Sequence, residues 1–371
     1  MRLSGLVAVL IPLGTVLITG CTSSLPPAPV DPADTFSAEI DARIAGIHER
    51  FVFADMHAHP SRFHRANVEM IGAEEVLLYR RRHMDIAVSN VSSDAAYDGG
   101  YTRRDGTQVP RTGTDAGPGE GIAFTNDRLD RVQATIDAGH AVRADSPDTV
   151  LAARRRGELS LLLALEGADG LEGSIENLRA LHARGLRLLQ LVHFRLNGVG
   201  RIQTTPYEAG GLTDFGKEVV RECNRLGIII DMAHANTETI HDALAISEHP
   251  VLFSHGGLKA LHEQERALTD DEVRAIAAAG GVVGIWPNGS SVRTIAQMVD
   301  YIEHVLAVAG EDHVGIGSDL RGMGSYSEGF GEDAEFRAIA AELLSRGHSD
   351  ETVGKIMGGN FFRVWRTVSG S

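Results

Sequence analysis

Eight short apolar runs, set apart by polar or amphipathic stretches, dominate this 371-residue chain: 51–57, 84–91, 159–166, 186–193, 227–234, 251–255, 281–286 and 313–319. The runs are almost continuously apolar rather than alternating, as parallel strands covered on both faces are. Stretches with helical apolar spacing lie between most of them, at 175–184, 215–226, 237–247, 270–279 and 295–309. Eight βα units are the count of a (β/α)8 barrel, and a chain of this length suits one such barrel with insertions. The expected fold is therefore α/β, a (β/α)8 TIM-type barrel with additional C-terminal helices. An open doubly wound sheet is the alternative, but no glycine-rich phosphate fingerprint follows the first run. Residues 37–50, with Ile40, Ile44 and Ile47 on one face, predict a helix leading into the first strand, and 332–365 predict two or three closing helices. The stretch 92–121, rich in Gly, Asp, Thr and Arg, breaks the rhythm. It reads either as a specificity loop over the catalytic face or as a surface excursion.

What ends each run carries the chemistry. The first ends in His57 and His59, which share one side of a strand because side chains alternate. The third ends in Glu166, the fourth in His193, the fifth in His234, the sixth in His255 and the eighth in Asp319. Barrel enzymes gather their functional groups at these C-terminal strand ends. Imidazole and carboxylate donors without thiolates suit zinc, or manganese where oxygen predominates. The set is rich enough for two ions, with one carboxylate bridging them and a water made nucleophilic between them. Asp231, three residues before His234, reads as a hydrogen-bonding residue of the strand. His48, His83, His182 and His304 fall on helical patterns and read as solvated or satisfied in the core.

The formal net charge of −15 argues against nucleic acid as a partner. The two cysteines, Cys21 and Cys223, make a disulfide framework improbable, and Cys223 reads as a buried thiol within a helix. Met1-Arg2, an apolar run to Ile18, and Gly20 before Cys21 resemble a lipoprotein signal peptide, followed by a Ser/Pro-rich tether. The expected organisation is a signal peptide over 1–20, a lipidated Cys21 and flexible tether over 21–36, and a metallohydrolase domain over 37–371. Such a protein would sit on the bacterial cell envelope, lipid-anchored to a membrane, with outer-membrane sorting suggested by the lack of Asp after Cys21. Its oligomeric state is open, a homodimer being one option.

The order and spacing of several motifs resemble the renal (membrane) dipeptidase family of zinc peptidases. They are Ala164-Leu165-Glu166-Gly167, Leu191-Val192-His193, Ile230-Asp231-Met232-Ala233-His234, Val251-Leu252-Phe253-Ser254-His255 and Arg266-Ala267-Leu268-Thr269-Asp270. Gly280-Gly281-Val282-Val283-Gly284, His313-Val314-Gly315-Ile316-Gly317-Ser318-Asp319 and Gly358-Gly359-Asn360-Phe361-Phe362-Arg363-Val364 complete the series. The resemblance implies two zinc ions bridged by Glu166, the first also bound by His57 and His59, the second by His234 and His255. It implies that Asp319, near the first ion, shuttles a proton, that His193 polarises the scissile carbonyl, and that Arg266 holds a substrate carboxylate. The implied substrate is a small peptide.

Three departures stand out. The family's first motif ends His-x-Asp where this chain has His57-Ala58-His59. Leu320-Arg321-Gly322 replaces a Phe-Asp-Gly, putting a cation beside the site that could meet a negative substrate group or, the favoured reading, point to solvent. Ala267 replaces an asparagine. A metal-dependent amidohydrolase acting on another amide or a lactone is the rival reading, and a non-catalytic ligand-binding lipoprotein a weaker one.

Overall fold

The computed structural model describes residues 36–64, 68–97, 117–204, 208–331 and 333–371. Each of the eight apolar runs overlaps a parallel strand: β1 (Ala54–Ala58), β2 (Ile86–Ser92), β3 (Ser160–Glu166), β4 (Leu186–Gln190), β5 (Ile229–Asp231), β6 (Leu252–Leu258), β7 (Val282–Ile285) and β8 (Val314–Ile316). They hydrogen-bond in chain order, β1 to β8. β8 returns to β1 through the bridge Ala58↔Leu320 and the backbone hydrogen bonds His59 N to Leu320 O and Asp319 N to His57 O, both 2.8 Å. The result is a nearly closed eight-stranded barrel. Two-residue strands at Val142–Arg143 and Ala267–Leu268 pair alongside β3 and β6 and were not foreseen.

The helices are α1 (Ala38–Arg50), α2 (Ala73–Arg81), α3 (Glu120–Asp137), α4 (Pro147–Arg155), α5 (Ile175–Ala183), α6 (Asp214–Leu226), α7 (Thr237–Ile246), α8 (Asp270–Ala278), α9 (Ile295–Ala309), α10 (Phe336–Ser345), α11 (Asp350–Gly354) and α12 (Asn360–Ser369). Several begin on a side chain that accepts an otherwise unpaired amide of the first turn: Ser174 before α5, Thr213 before α6, Asn236 before α7 and Thr294 before α9. At α8, Thr269 and Glu272 form a reciprocal capping box. Cys223 is fully buried within α6, where burial pushes its thiol pKa up.

The inner faces of the strands near their N-terminal ends form one apolar cluster with α12. Val52, Ala54, Met56, Ile86, Val88, Leu162, Leu188, Ile229, Leu252 and Val282 meet Phe361, Val364, Trp365 and Val368. The C-terminal helix thus plugs the bottom of the barrel and runs past Trp365, where the sequence pattern suggested an end. A wide turn at Lys355–Gly359 lets the chain reach that position. At Gly358 a β-carbon would lie 2.4 Å from both Ala54 N and Val52 O, so only glycine admits this approach.

With the bottom sealed, polar groups collect at the C-terminal rim. No helix among the described residues is long and apolar enough to cross a membrane. The signal peptide, Cys21 and most of its tether lie outside the described residues, as do 98–116 of the irregular stretch.

Candidate active site

The apolar strand β1 carries His57 and His59 to the rim, both buried. His59 Nδ1 lies 2.9 Å from the carbonyl of Asn90, which can only accept, so Nδ1 bears the proton and Nε2 faces inward. His59 Nε2 is 3.3 Å from Glu166 Oε2 and 3.5 Å from Asp319 Oδ1. His57 Nε2 is 3.2 Å from Glu166 Oε1.

Glu166, at the end of β3, is the hub. Besides the β1 histidines, His193 Nε2 stands 3.2 Å and His234 Nε2 3.6 Å from its Oε1, and Ser92 Oγ donates to its Oε2 at 2.7 Å. Burial opposes its charge, yet His193, His57 and His59 hold its carboxyl well below the usual range. The histidines divide into two kinds. Burial disfavours charge on His59 and His193, but Glu166 and Asp319 raise the first to about 9, and Asp94 and Glu166 raise the second to about 10. At His234 and His255 burial prevails, helped by the charge of Arg266, and both are held neutral.

His234 and His255 bring their Nε2 atoms within 3.2 Å of each other. His234 is reached through a left-handed backbone, φ +69°, unusual for a residue with a β-carbon. Asp231, on the strand below, accepts the amides of Ala233 at 3.0 Å and Ser254 at 2.9 Å, which is the structural role expected of it. Ser254 Oγ lies 2.9 Å from His255 Nδ1 and 3.4 Å from His57 Nδ1, tying the two rings together.

Arg266 is 8% exposed. It donates to Gln203 Oε1 at 2.6 Å and to His255 Nε2 at 3.0 Å, and its guanidinium rests 5.3 Å from the centre of the Trp286 ring. Burial lowers its pKa to about 10, which leaves it charged at neutral pH. Asp319 also has a left-handed backbone, φ +47°. The glycine three residues on is required here: a β-carbon at Gly322 would strike Asp319 Oδ1 and stand 2.7 Å from His59 Cδ2. Arg321 differs from the expectation that favoured solvent. It is mostly buried and pairs with Glu75 of α2 at 3.1 and 3.2 Å, so its charge is already matched within the protein.

The donor set fits a divalent cation. His57, His59 and Glu166 form one group, and Glu166, His193 and His234 another, each with donor atoms within 4.8 Å of one another. Among the described residues, His57 Nε2 is buried and makes no hydrogen bond, although it faces Glu166 Oε1. Buried polar atoms in that state call for an explanation, and an ion beside them is one.

His57, His59, Glu166, His193, His234, His255, Arg266 and Asp319 therefore converge on one rim, with His193 close to both Glu166 and His234, while Cys21 lies outside the described residues. The sequence reading missed Ser92, the last residue of β2, Asp94, just beyond it, and Asp55 within β1. Asp94 Oδ1 sits 2.9 Å from His193 Nδ1. The only signal was position, since both Ser92 and Asp94 stand where a barrel strand ends.

The family profile described as membrane dipeptidase, peptidase family M19, matches residues 43–370. An uncharacterized dipeptidase of Schizosaccharomyces pombe is 32% identical over 232 residues, and dipeptidase tcpJ of Claviceps purpurea 34% over 234. These matches cover 59% and 61% of this chain and 55% of each relative's length. In fold, the chain resembles the probable dipeptidase PvdM of Pseudomonas aeruginosa, with a TM-score of 0.76 at 20% identity over 90% of this chain and 100% of that one. On the strength of the profile match across nearly the whole domain, the chain belongs to the membrane dipeptidase family, peptidase family M19.

Proposed function

We propose that this protein is a metal-dependent dipeptidase that hydrolyses short peptides with a free C-terminal carboxylate, using two zinc ions or a similar divalent pair. The observation that carries the reading is Glu166, a buried carboxylate whose two oxygens each face imidazole nitrogens brought in by other strands. In this reading His57, His59 and Glu166 hold one ion, near Asp319, and Glu166, His234 and His255 hold the other. Bound there, the pair would supply Lewis acidity and make the attacking water more acidic.

The chain's own groups do the rest. The Asp319 carboxylate accepts the proton of the attacking water and passes it to the departing amine. His193 directs Nε2 to the scissile carbonyl oxygen and stabilises the charge that develops there. Arg266 holds the substrate carboxylate by a charge-assisted contact, for which its buried Nε, without a hydrogen-bond partner among the described residues, is a ready donor. The proton that Glu166 and Asp319 draw onto His59 would be displaced as a cation enters, so loading should release protons.

The N-terminal sequence supports a second part of the proposal, that Cys21 is lipidated and tethers the domain to the bacterial cell envelope. Dipeptide hydrolysis by the chain from residue 22 onward, with added Zn²⁺ and then with chelator, tests the activity. Failure to cleave any dipeptide after zinc reconstitution would overturn it.

A further inference from the structure

β2 ends at Ser92 and runs straight into Ser93 and Asp94, and these residues close a circuit through the site. Ser92 Oγ donates to Glu166 Oε2 at 2.7 Å, Glu166 Oε1 stands 3.2 Å from His193 Nε2, and His193 Nδ1 lies 2.9 Å from Asp94 Oδ1. Ser93 fixes the turn itself. Its hydroxyl donates to Gly167 O at 2.5 Å and accepts the amide of Gly170 at 3.2 Å, so the turn is locked to the residues that follow Glu166.

Asp94 is 4% exposed, and among the described residues His193 is the one hydrogen-bond partner of its carboxylate. A buried carboxylate is costly, and one serving the turn alone would be expected to cap backbone amides, as Asp55 and Asp231 do elsewhere in this barrel. This one spends its acceptor on a single ring nitrogen. An imidazole turns about two side-chain torsions, and either nitrogen can face a site. A carboxylate on Nδ1–H removes that freedom and leaves Nε2 as the atom presented inward.

We propose that Asp94 is a positioning residue for His193, holding the ring so that Nε2 faces the reacting carbonyl. This rests on the role given to His193 above. The contribution is geometric, because a misplacement of about 1 Å in a catalytic group can cost roughly 100-fold in rate.

The test uses the zinc-loaded protein and the variants Asp94→Ala and Asp94→Asn. Asp94→Ala should lower kcat on a dipeptide roughly 10- to 100-fold, the scale for removing a partner that orients a site histidine. KM, Tm and zinc content should stay close to wild type. Asp94→Asn, whose side-chain oxygen can still accept the Nδ1 proton, should recover most of the loss. An unchanged kcat in Asp94→Ala overturns the proposal, as does a loss that merely tracks lost zinc or lost Tm. Asp94→Asn as slow as Asp94→Ala overturns the orienting role. A proton spectrum supplies a readout independent of turnover: a downfield Nδ1–H resonance, identified by its absence in His193→Ala, should be present in wild type and gone in Asp94→Ala. If no dipeptide is cleaved at all, the proposed function fails while this resonance still decides the pairing, and its absence from wild type would refute it.

Discussion

Asp55 accepts the backbone N–H of Ser318 at 2.8 Å and its hydroxyl at 2.5 Å, across 263 residues of sequence. Ser318 precedes Asp319, whose backbone is left-handed, so a buried carboxylate on β1 holds the approach to Asp319, the proposed proton carrier beyond β8. Leaving that amide and hydroxyl unsatisfied should cost about 1–3 kcal/mol each. We expect Asp55→Ala to lose stability on that scale in urea unfolding and to lower kcat tenfold or more. Wild-type stability in the variant would show that Ser318 finds another partner.

The metal centre is tested most directly by counting ions. Two divalent ions per chain are expected by elemental analysis after mild purification, and His234→Ala or His255→Ala should lose mainly one of them. Chelation should abolish activity and zinc restore it. Finding no metal after reconstitution would end the two-ion reading.

Arg266 and Asp319 separate a dipeptidase from a broader amidohydrolase. Arg266→Ala should reduce kcat/KM about 10- to 100-fold on a dipeptide, the equivalent of a charge-assisted contact of about 1.5–3 kcal/mol. A dipeptide amide, lacking the carboxylate, should suffer far less. Asp319→Asn should abolish turnover on both, because an amide cannot carry the proton. Equal damage to charged and amidated substrates from Arg266→Ala would refute the carboxylate anchor.

Asp169 gives a pH dependence with a definite sign. Burial first, and the charge of Asp94 second, raise its pKa from 3.8 to about 7, against the smaller pull of Asn197, Arg195 and His193. A raised carboxyl contributes stability that is whole below the unfolded pKa and is lost as pH rises through the folded one. Asp169→Asn should therefore match wild type below about pH 4 and gain on it up to about pH 7, with a constant advantage above. Parallel Tm curves across that window would mean that Asp169 is ionised in the fold.

The anchor is separable from catalysis. Cys21→Ala should leave the membrane fraction and keep its dipeptidase activity. A wild-type protein that fractionates as soluble, with an unmodified Cys21 thiol, would refute the lipid.

Much of this architecture was legible in the chain because apolar continuity marks buried strands and because a barrel displays whatever ends them. Glu166, His193, His234 and Asp319 could be read that way. Asp94 and Ser92 could not, since small polar residues where a strand gives way to a turn look ordinary until the barrel closes and sets them against His193 and Glu166. Arg321 was misjudged for the same reason, as Glu75 is 246 residues away and only folding pairs them. Position along a strand can be inferred locally, whereas the partner across the ring depends on curvature and register that no short window contains.

The joint between β8 and β1 has a consequence for assembly. The first and last strands of the ring meet at Ala58 and Leu320, and His57, His59 and Asp319 stand on either side of that joint. A cation drawn into this cluster would act as a clasp between the earliest and the latest barrel segments to be synthesised. Acquiring metal and completing the circle would then be a single event. Amide hydrogen exchange at His59 and Asp319 should slow on loading, and a chain starved of zinc would linger with its ends loosely joined.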